Sequence, residues 1–400
     1  MPRSAPAMAP SARRETGKVL FATLVGTLDN NALVPVITFY AIALGADPFM
    51  AGLIVGAYSL VHIPANIVFG RLADRVGRKR PLVYGLLWDA VSLALYAVAS
   101  SPIALLLVRV SHGLGGGFVG PSSMALVSER ADPARKGRAF AYYGISIAIA
   151  VILGFAVAGI ASARNAYRPM FFGLSFALWV GALVASRIRE APAEGRAPAL
   201  DVAAFLRFLR YRGAVGGYAA IFALYFLLGA LIVLAPLEFG GPPISLTAAT
   251  FAISLLVFAV VSVAVHYPSG VLSDRLGPHV PCAAGLVAVS AAMALLPSAM
   301  SFTVLVGLMA VFGLGHGLIF PSSSALATRH ARRDSLGLAT GVYYALLVSG
   351  VAVGAPLAGA MALAWGPASG FLACAAVSVI ALFLLVPAAL AAREPLRSLE

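Results

Sequence analysis

A handful of ionisable side chains interrupt long apolar runs in this chain, and their types limit the chemistry open to them. Asp29 stands in Leu28-Asp29-Asn30-Asn31, Asp89 in Leu87-Trp88-Asp89-Ala90, and Arg109 three residues before His112. His316 lies between Gly315 and Gly317, while His62, His266 and Glu238 also have apolar neighbours. A carboxylate in such surroundings can take up a proton or hold a cation. A nearby arginine stays charged and lowers that acid's proton affinity, and a histidine can act as proton donor or acceptor. The sequence offers no phosphate-binding Gly-x-x-x-x-Gly-Lys loop, no zinc-type cluster and no nucleophile–base pair. No metal and no cofactor are expected, the coupling ion being a proton. Cys282 and Cys374 read as small packing residues.

Membrane helices must position these groups. Of the 400 residues 61% are hydrophobic and only 11% charged, too apolar a balance for a soluble core. A hydrocarbon layer about 30 Å thick is crossed by about 20 helical residues, and cutting the chain at charges, Pro and Gly gives twelve such segments. They run over 18–43, 49–70, 82–100, 102–127, 138–161, 168–186, 214–238, 247–270, 280–297, 302–327, 337–363 and 367–391. The first reads as a retained span rather than a cleaved signal. Every Lys and Arg except Arg109, Arg164 and Arg168 then falls on one side, which identifies that side and both termini as cytoplasmic, in an inner or plasma membrane. The net charge of +13 is a consequence of topology, and no nucleic-acid partner is needed to explain it.

The chain is also duplicated. At an offset of 200 residues Gly113-Leu114-Gly115 meets Gly313-Leu314-Gly315, and Pro121-Ser122-Ser123 meets Pro321-Ser322-Ser323. Gly70, Asp74, Arg75 and Gly77 likewise meet Gly270, Asp274, Arg275 and Gly277. The expected fold is an all-α polytopic membrane protein with twelve transmembrane helices in two pseudo-symmetric six-helix bundles. Its boundaries are a cytoplasmic tail at 1–17, bundles at 18–186 and 214–391, a connector at 187–213 and a second tail at 392–400. Val202–Tyr211 in the connector is amphipathic and reads as a helix on the lipid surface. Parallel six-helix repeats around a central site are an architecture of secondary transporters.

The loop Gly70-Arg-Leu-Ala-Asp74-Arg75-Val-Gly77-Arg78-Lys79 resembles the signature loop of the major facilitator superfamily, and Arg109-x-x-x-Gly113 resembles a second motif of its proton-coupled members. The nearest group is the proton-driven drug exporters. Their motif in the fifth span has a Gly-Pro pair, whereas here Phe155 follows Gly154. The resemblance implies alternating access around a central cavity, a small-molecule substrate, a lipid bilayer as surroundings and a monomer. It makes Asp29, Arg109, His112 and His316 proton-coupling candidates, with Asp29 facing the cavity between the halves. Asn30, Asn31, Tyr225, Phe226 and Tyr343 become substrate-cavity candidates. Gly70, Asp74, Arg75, Gly77, Arg78, Asp274 and Arg275 become a cytoplasmic gate, with Asp74 latching near Gly337 and Asp274 near Gly137. Asp89, on a span peripheral in this family, is expected to be structural and could pair with Arg109; Arg109 could instead face the cavity. Proton-coupled export of an apolar or amphipathic molecule leads. Uptake of an organic anion or nutrient, lipid translocation, and a membrane enzyme or receptor stay open.

Overall fold

Caps, glycines and prolines decide where each span begins, bends and stops. The computed structural model describes residues 10–130, 136–189, 209, 212–329 and 336–391, and no strand occurs among the described residues. The first half comprises α1 (Pro10–Leu33), α2 (Ile37–Ala43), α3 (Pro48–Val76), α4 (Lys79–Val98), α5 (Pro102–Arg130), α6 (Lys136–Ala163) and α7 (Tyr167–Ser186). The second comprises α8 (Arg212–Phe239), α9 (Ala248–Leu276), α10 (His279–Leu295), α11 (Phe302–Thr328), α12 (Leu336–Trp365) and α13 (Pro367–Ala391). Eleven of these can cross a bilayer by length and composition, and α1 with α2, bent by 46°, supplies a twelfth span. Helix α1 begins at Pro10, ahead of the start expected at 18. The amphipathic stretch of the connector lies almost wholly outside the described residues, as does the 392–400 tail.

The duplication extends to the devices that end helices. The Asp47 side chain accepts the Met50 N–H at 2.7 Å to start α3, and its repeat mate Thr247 accepts the Thr250 N–H at 3.2 Å to start α9. Ser101 and Ser301 cap α5 and α11 in the same way, at 3.2 and 3.3 Å. Helices α3 and α9 both stop at a glycine with positive φ, +89° at Gly77 and +81° at Gly277, a conformation that side chains with a Cβ rarely adopt.

Packing between spans relies on close approach, because lipid is as apolar as the helices themselves. A Cβ on Gly113 would lie 2.6 Å from the Tyr58 carbonyl, and one on Gly313 would lie 2.5 Å from the Phe258 carbonyl, so α3 on α5 and α9 on α11 need glycine at the contact. Two cores form, one built mainly on first-half residues such as Leu33, Leu86 and Phe171 and joined by Ile232, Val233, Ala248 and Ala355, the other mainly on second-half residues such as Leu224, Phe312 and Phe371 and joined by Phe155. Large apolar side chains such as Leu107, Phe176, Tyr267 and Phe383 cover the outer faces.

The halves meet at the end away from the basic loops. There a Cβ on Gly52 of α3 would lie 2.5 Å from the Ala355 carbonyl of α12, and one on Gly359 would strike the Pro48 carbonyl. Gly159 of α6 comes within ordinary contact of Ala252 of α9. The break before α2 contributes as well. Pro35 has no N–H to give the helix, the chain turns, and Thr38 of α2 then donates to the Ile232 carbonyl of α8 at 2.8 Å. Replacing Gly52 by Val is expected to wedge α3 from α12 at this sealed end. Disulfide trapping between cysteines placed on the two helices there should fall several-fold in Gly52→Val; unchanged trapping would show that the contact tolerates a side chain.

Candidate functional site

The ionisable residues of the first half converge from four helices. Asp29 comes from α1, Tyr58 and His62 from α3, Asp89 and Tyr96 from α4, and Arg109 and His112 from α5. Asp29, Asp89, Arg109 and His112 are all buried, none more than 3% exposed, while Tyr58 and His62 are half-buried. His112 Nε2 lies 3.1 Å from Asp29 Oδ2, and Asp29 Oδ1 accepts the Asn30 N–H at 2.5 Å. With the Nε2 proton directed at the carboxylate, His112 Nδ1 is left to accept the Tyr96 hydroxyl, at 3.4 Å. Arg109 places its guanidinium 4.9 Å from the centre of the Tyr58 ring, a cation–π contact, and its Nε and Nη1 have no hydrogen-bond partner. Tyr58 also stacks on His62 at 5.2 Å and meets His112 edge-on at 5.0 Å.

Asp89 departs from expectation. Its carboxylate forms no ion pair with Arg109; instead its ligand atoms lie within 4.8 Å of those of Asp29 and His112, and both its oxygens lack a partner. Two carboxylates and an imidazole at that spacing could in principle hold a cation as well as a proton. The cluster lies inside the first bundle. Asp29 faces α4 and α5, not the seam between the halves, which corrects the orientation expected for it.

In the second half the polar groups are fewer and more open. His316 of α11 is half-buried, and its Nδ1 lies 2.7 Å from the Ser262 hydroxyl of α9. Around it stand Phe258 edge-on at 5.3 Å, Phe320 parallel at 5.8 Å, Tyr225 at 5.9 Å and His266 at 6.1 Å.

The sequence model of the Major Facilitator Superfamily matches residues 19–281 and 217–400. The chain belongs to this superfamily. It is a multi-pass membrane transporter, not an enzyme. Inner membrane transport protein YajR of Escherichia coli (strain K12) is 29% identical over 185 residues, 43% of this chain and 40% of that protein. Quinolone resistance protein NorA of Staphylococcus aureus is 29% identical over 140 residues, 35% of this chain and 36% of that one. The chain thus matches less than half the length of either relative. A mutant of the nucleoside transporter NupG shares the fold, with a TM-score of 0.81 at 14% identity, covering 94% of this chain and 99% of that structure.

The transporter's remaining candidates divide by their surroundings. Tyr225 is half-buried beside His316, but Phe226 is core, 4% exposed, with the α12 backbone at Gly354 packed against it. Tyr343 is also core: its hydroxyl donates to the Phe320 carbonyl at 3.0 Å and lies 3.1 Å from the Ser323 hydroxyl. Tyr143 and Ser123 repeat that tie in the first half at 3.4 Å, which explains why the serine after each Pro-Ser pair is duplicated. Neither Phe226 nor Tyr343 lines a cavity, because each is held by backbone and core contacts. Asn31 donates to the Thr27 carbonyl of its own helix at 2.7 Å, while the Asn30 side-chain oxygen is buried without a partner.

In the gate loop, Gly70 packs near Pro121 and Arg78 pairs with Glu129 at the end of α5, a contact within the first half. Arg75, Asp274 and Arg275 are exposed. The Asp74 side chain and the surroundings of Gly137 and Gly337, where the two latches were expected, lie outside the described residues.

Tyr96 is the functional neighbour that sequence reasoning missed, and Asp89 the one it undervalued. Both lie on α4, and their seven-residue spacing, two helical turns, was the available signal. The Asp29–His112 pair also makes a stability prediction. Removing one partner of a buried pair costs about 3–5 kcal/mol, so His112→Phe should lower the melting temperature in detergent markedly. Adding Asp29→Asn to it should recover much of the loss; a double variant as unstable as the sum of the two singles would deny the pairing.

Proposed function

We propose that the protein exports an apolar or amphipathic small molecule in exchange for protons, with the Asp29–His112–Asp89 cluster as the proton site. The observation that carries this reading is the Asp29–His112 contact at 3.1 Å, with a second carboxylate in reach, inside an otherwise apolar bundle. With both acids ionised, Arg109 charged and His112 neutral, the cluster holds one excess negative charge. One proton cancels it, and a group of this kind inside the membrane-spanning region costs several kcal/mol if left uncancelled.

Orientation follows from the basic loops. By the positive-inside rule they face the cytoplasm, so the end sealed by Gly52, Gly359 and Thr38 faces outward. The substrate class rests on the half-buried aromatic surface of Tyr225, His316 and Phe320, which suits flat or apolar molecules. Export rests on the likeness to the quinolone resistance protein.

Proton and substrate must favour opposite-facing or competing states, since a ligand shifts a two-state equilibrium only by its differential affinity. Reconstituted in proteoliposomes with an acidic interior, the wild type should accumulate a lipophilic dye or drug from a test panel. Asp29→Asn removes the excess charge, so it should lose gradient-driven accumulation while keeping counterflow exchange. Full accumulation by that variant would overturn the proton assignment, and accumulation only under the opposite gradient geometry would make the protein an importer.

A further inference from the structure

Asp29 is fully engaged in this structure. One carboxylate oxygen accepts a backbone N–H and the other meets His112. Asp89, 1% exposed, offers two oxygens with no partner at all. The titratable groups around it are Asp29 from α1, Tyr58 from α3, Tyr96 from its own helix and His112 from α5; on α7, Ser175 gives its hydroxyl to the Ala90 carbonyl at 2.7 Å. Arg109 is occupied with the Tyr58 ring and is not in ion-pair contact. An ionised carboxylate with no donor and no countercharge in contact is the arrangement that buried sites avoid.

The internal repeat supplies an independent observation. The residue at the same place in the second half is Val289, fully buried, with Gly315 beneath it where Gly115 lies beneath Asp89; a Cβ on Gly315 would lie 2.6 Å from Val289 Cγ1, and one on Gly115 would strike Asp89 Oδ1. Valine and aspartate have nearly the same size and branching. Packing here asks only for that shape, and the fold is satisfied in one half without a charge. The carboxylate at residue 89 therefore serves something other than packing.

We infer that Asp89 is the residue that carries the coupling proton, with Asp29 held by His112 as the fixed negative charge beside it. The inference rests on the proton-coupled reading above and specifies its site. An O–H bond forms on the Asp89 carboxylate as a proton enters from water, and the same bond breaks when the proton leaves to the other side. In the state described, with no partner for the carboxylate, Asp89 is the protonated, neutral acid. Loss of the proton adds a negative charge next to Asp29, and the Arg109 Nε and Nη1 groups, unpartnered in this state, are the positive groups able to answer it.

The test uses the full-length transporter in proteoliposomes and two substitutions. Asp89→Val copies the second half's residue, so it should fold, lose pH-gradient-driven accumulation by at least ten-fold and show exchange that no longer varies with pH. Asp89→Glu keeps the acid but changes its side chain. In infrared difference spectra between high and low pH, it should displace the carbonyl band of the protonated carboxyl. Wild-type accumulation by Asp89→Val, or an undisplaced band in Asp89→Glu, would overturn the assignment to Asp89 while leaving proton coupling standing. Absence of gradient-driven accumulation in the wild type would remove both.

Discussion

A charge removed from water must be matched, and in this molecule that constraint falls on one half only. Asp89, Arg109, His112, Tyr58 and Tyr96 have repeat mates Val289, Met309, Phe312, Phe258 and Leu296, every one apolar and buried. The two bundles share caps, glycines and helix order, so the polar cluster is an addition to a framework that stands without it. Replacing buried charged groups by apolar ones of similar volume is often neutral or stabilising. Retaining them costs stability, and a site with chemistry to perform is the usual reason for such a cost.

What the two halves share is equally telling. The Pro-Ser-Ser segments lie inside α5 and α11 and give each a serine hydroxyl tied to a tyrosine on the next helix, Ser123 with Tyr143 and Ser323 with Tyr343. Gly77 and Gly277 end α3 and α9 with the same positive φ. These duplicated features concern helix ends and crossings that recur in the two halves, although the break between α1 and α2 has no counterpart in the single helix α8. The features that differ concern what occupies the space between the helices.

That division explains how much was legible in the sequence. Span number, the duplication and the signature loop follow from apolar length, from Gly and Pro at a fixed offset, and from the placement of Lys and Arg, all of which are local properties. The orientation of Asp29 was not legible, because a helix rotated by one residue turns a side chain by about 100°, from the seam into the bundle. Asp89 was undervalued because its span is peripheral in the family, yet a peripheral helix still presents one face to its own bundle. Phe226 and Tyr343 read as cavity aromatics because residue type alone does not separate a wall from a core. Pro35 was visible, but its consequence, the separate α2 that reaches α8 through Thr38, depends on a partner 194 residues away.

The position of that break connects the charge to the movement. Helix α1 carries Asp29, and only a few residues later the same span turns at Pro35 and closes the sealed end through α2. Helix α3 carries Tyr58, which lies under Arg109, and meets α12 through Gly52 at the same end. Two of the four helices that supply the cluster therefore belong to spans that hold the halves together. Taking a two-state equilibrium from 1:99 to 99:1 requires about 5.5 kcal/mol. Leaving a buried charge without its partner costs about 3–5 kcal/mol. The two quantities are comparable, so on the proton-coupled reading proposed above a single proton gained or lost at the cluster would supply most of the bias between the two arrangements.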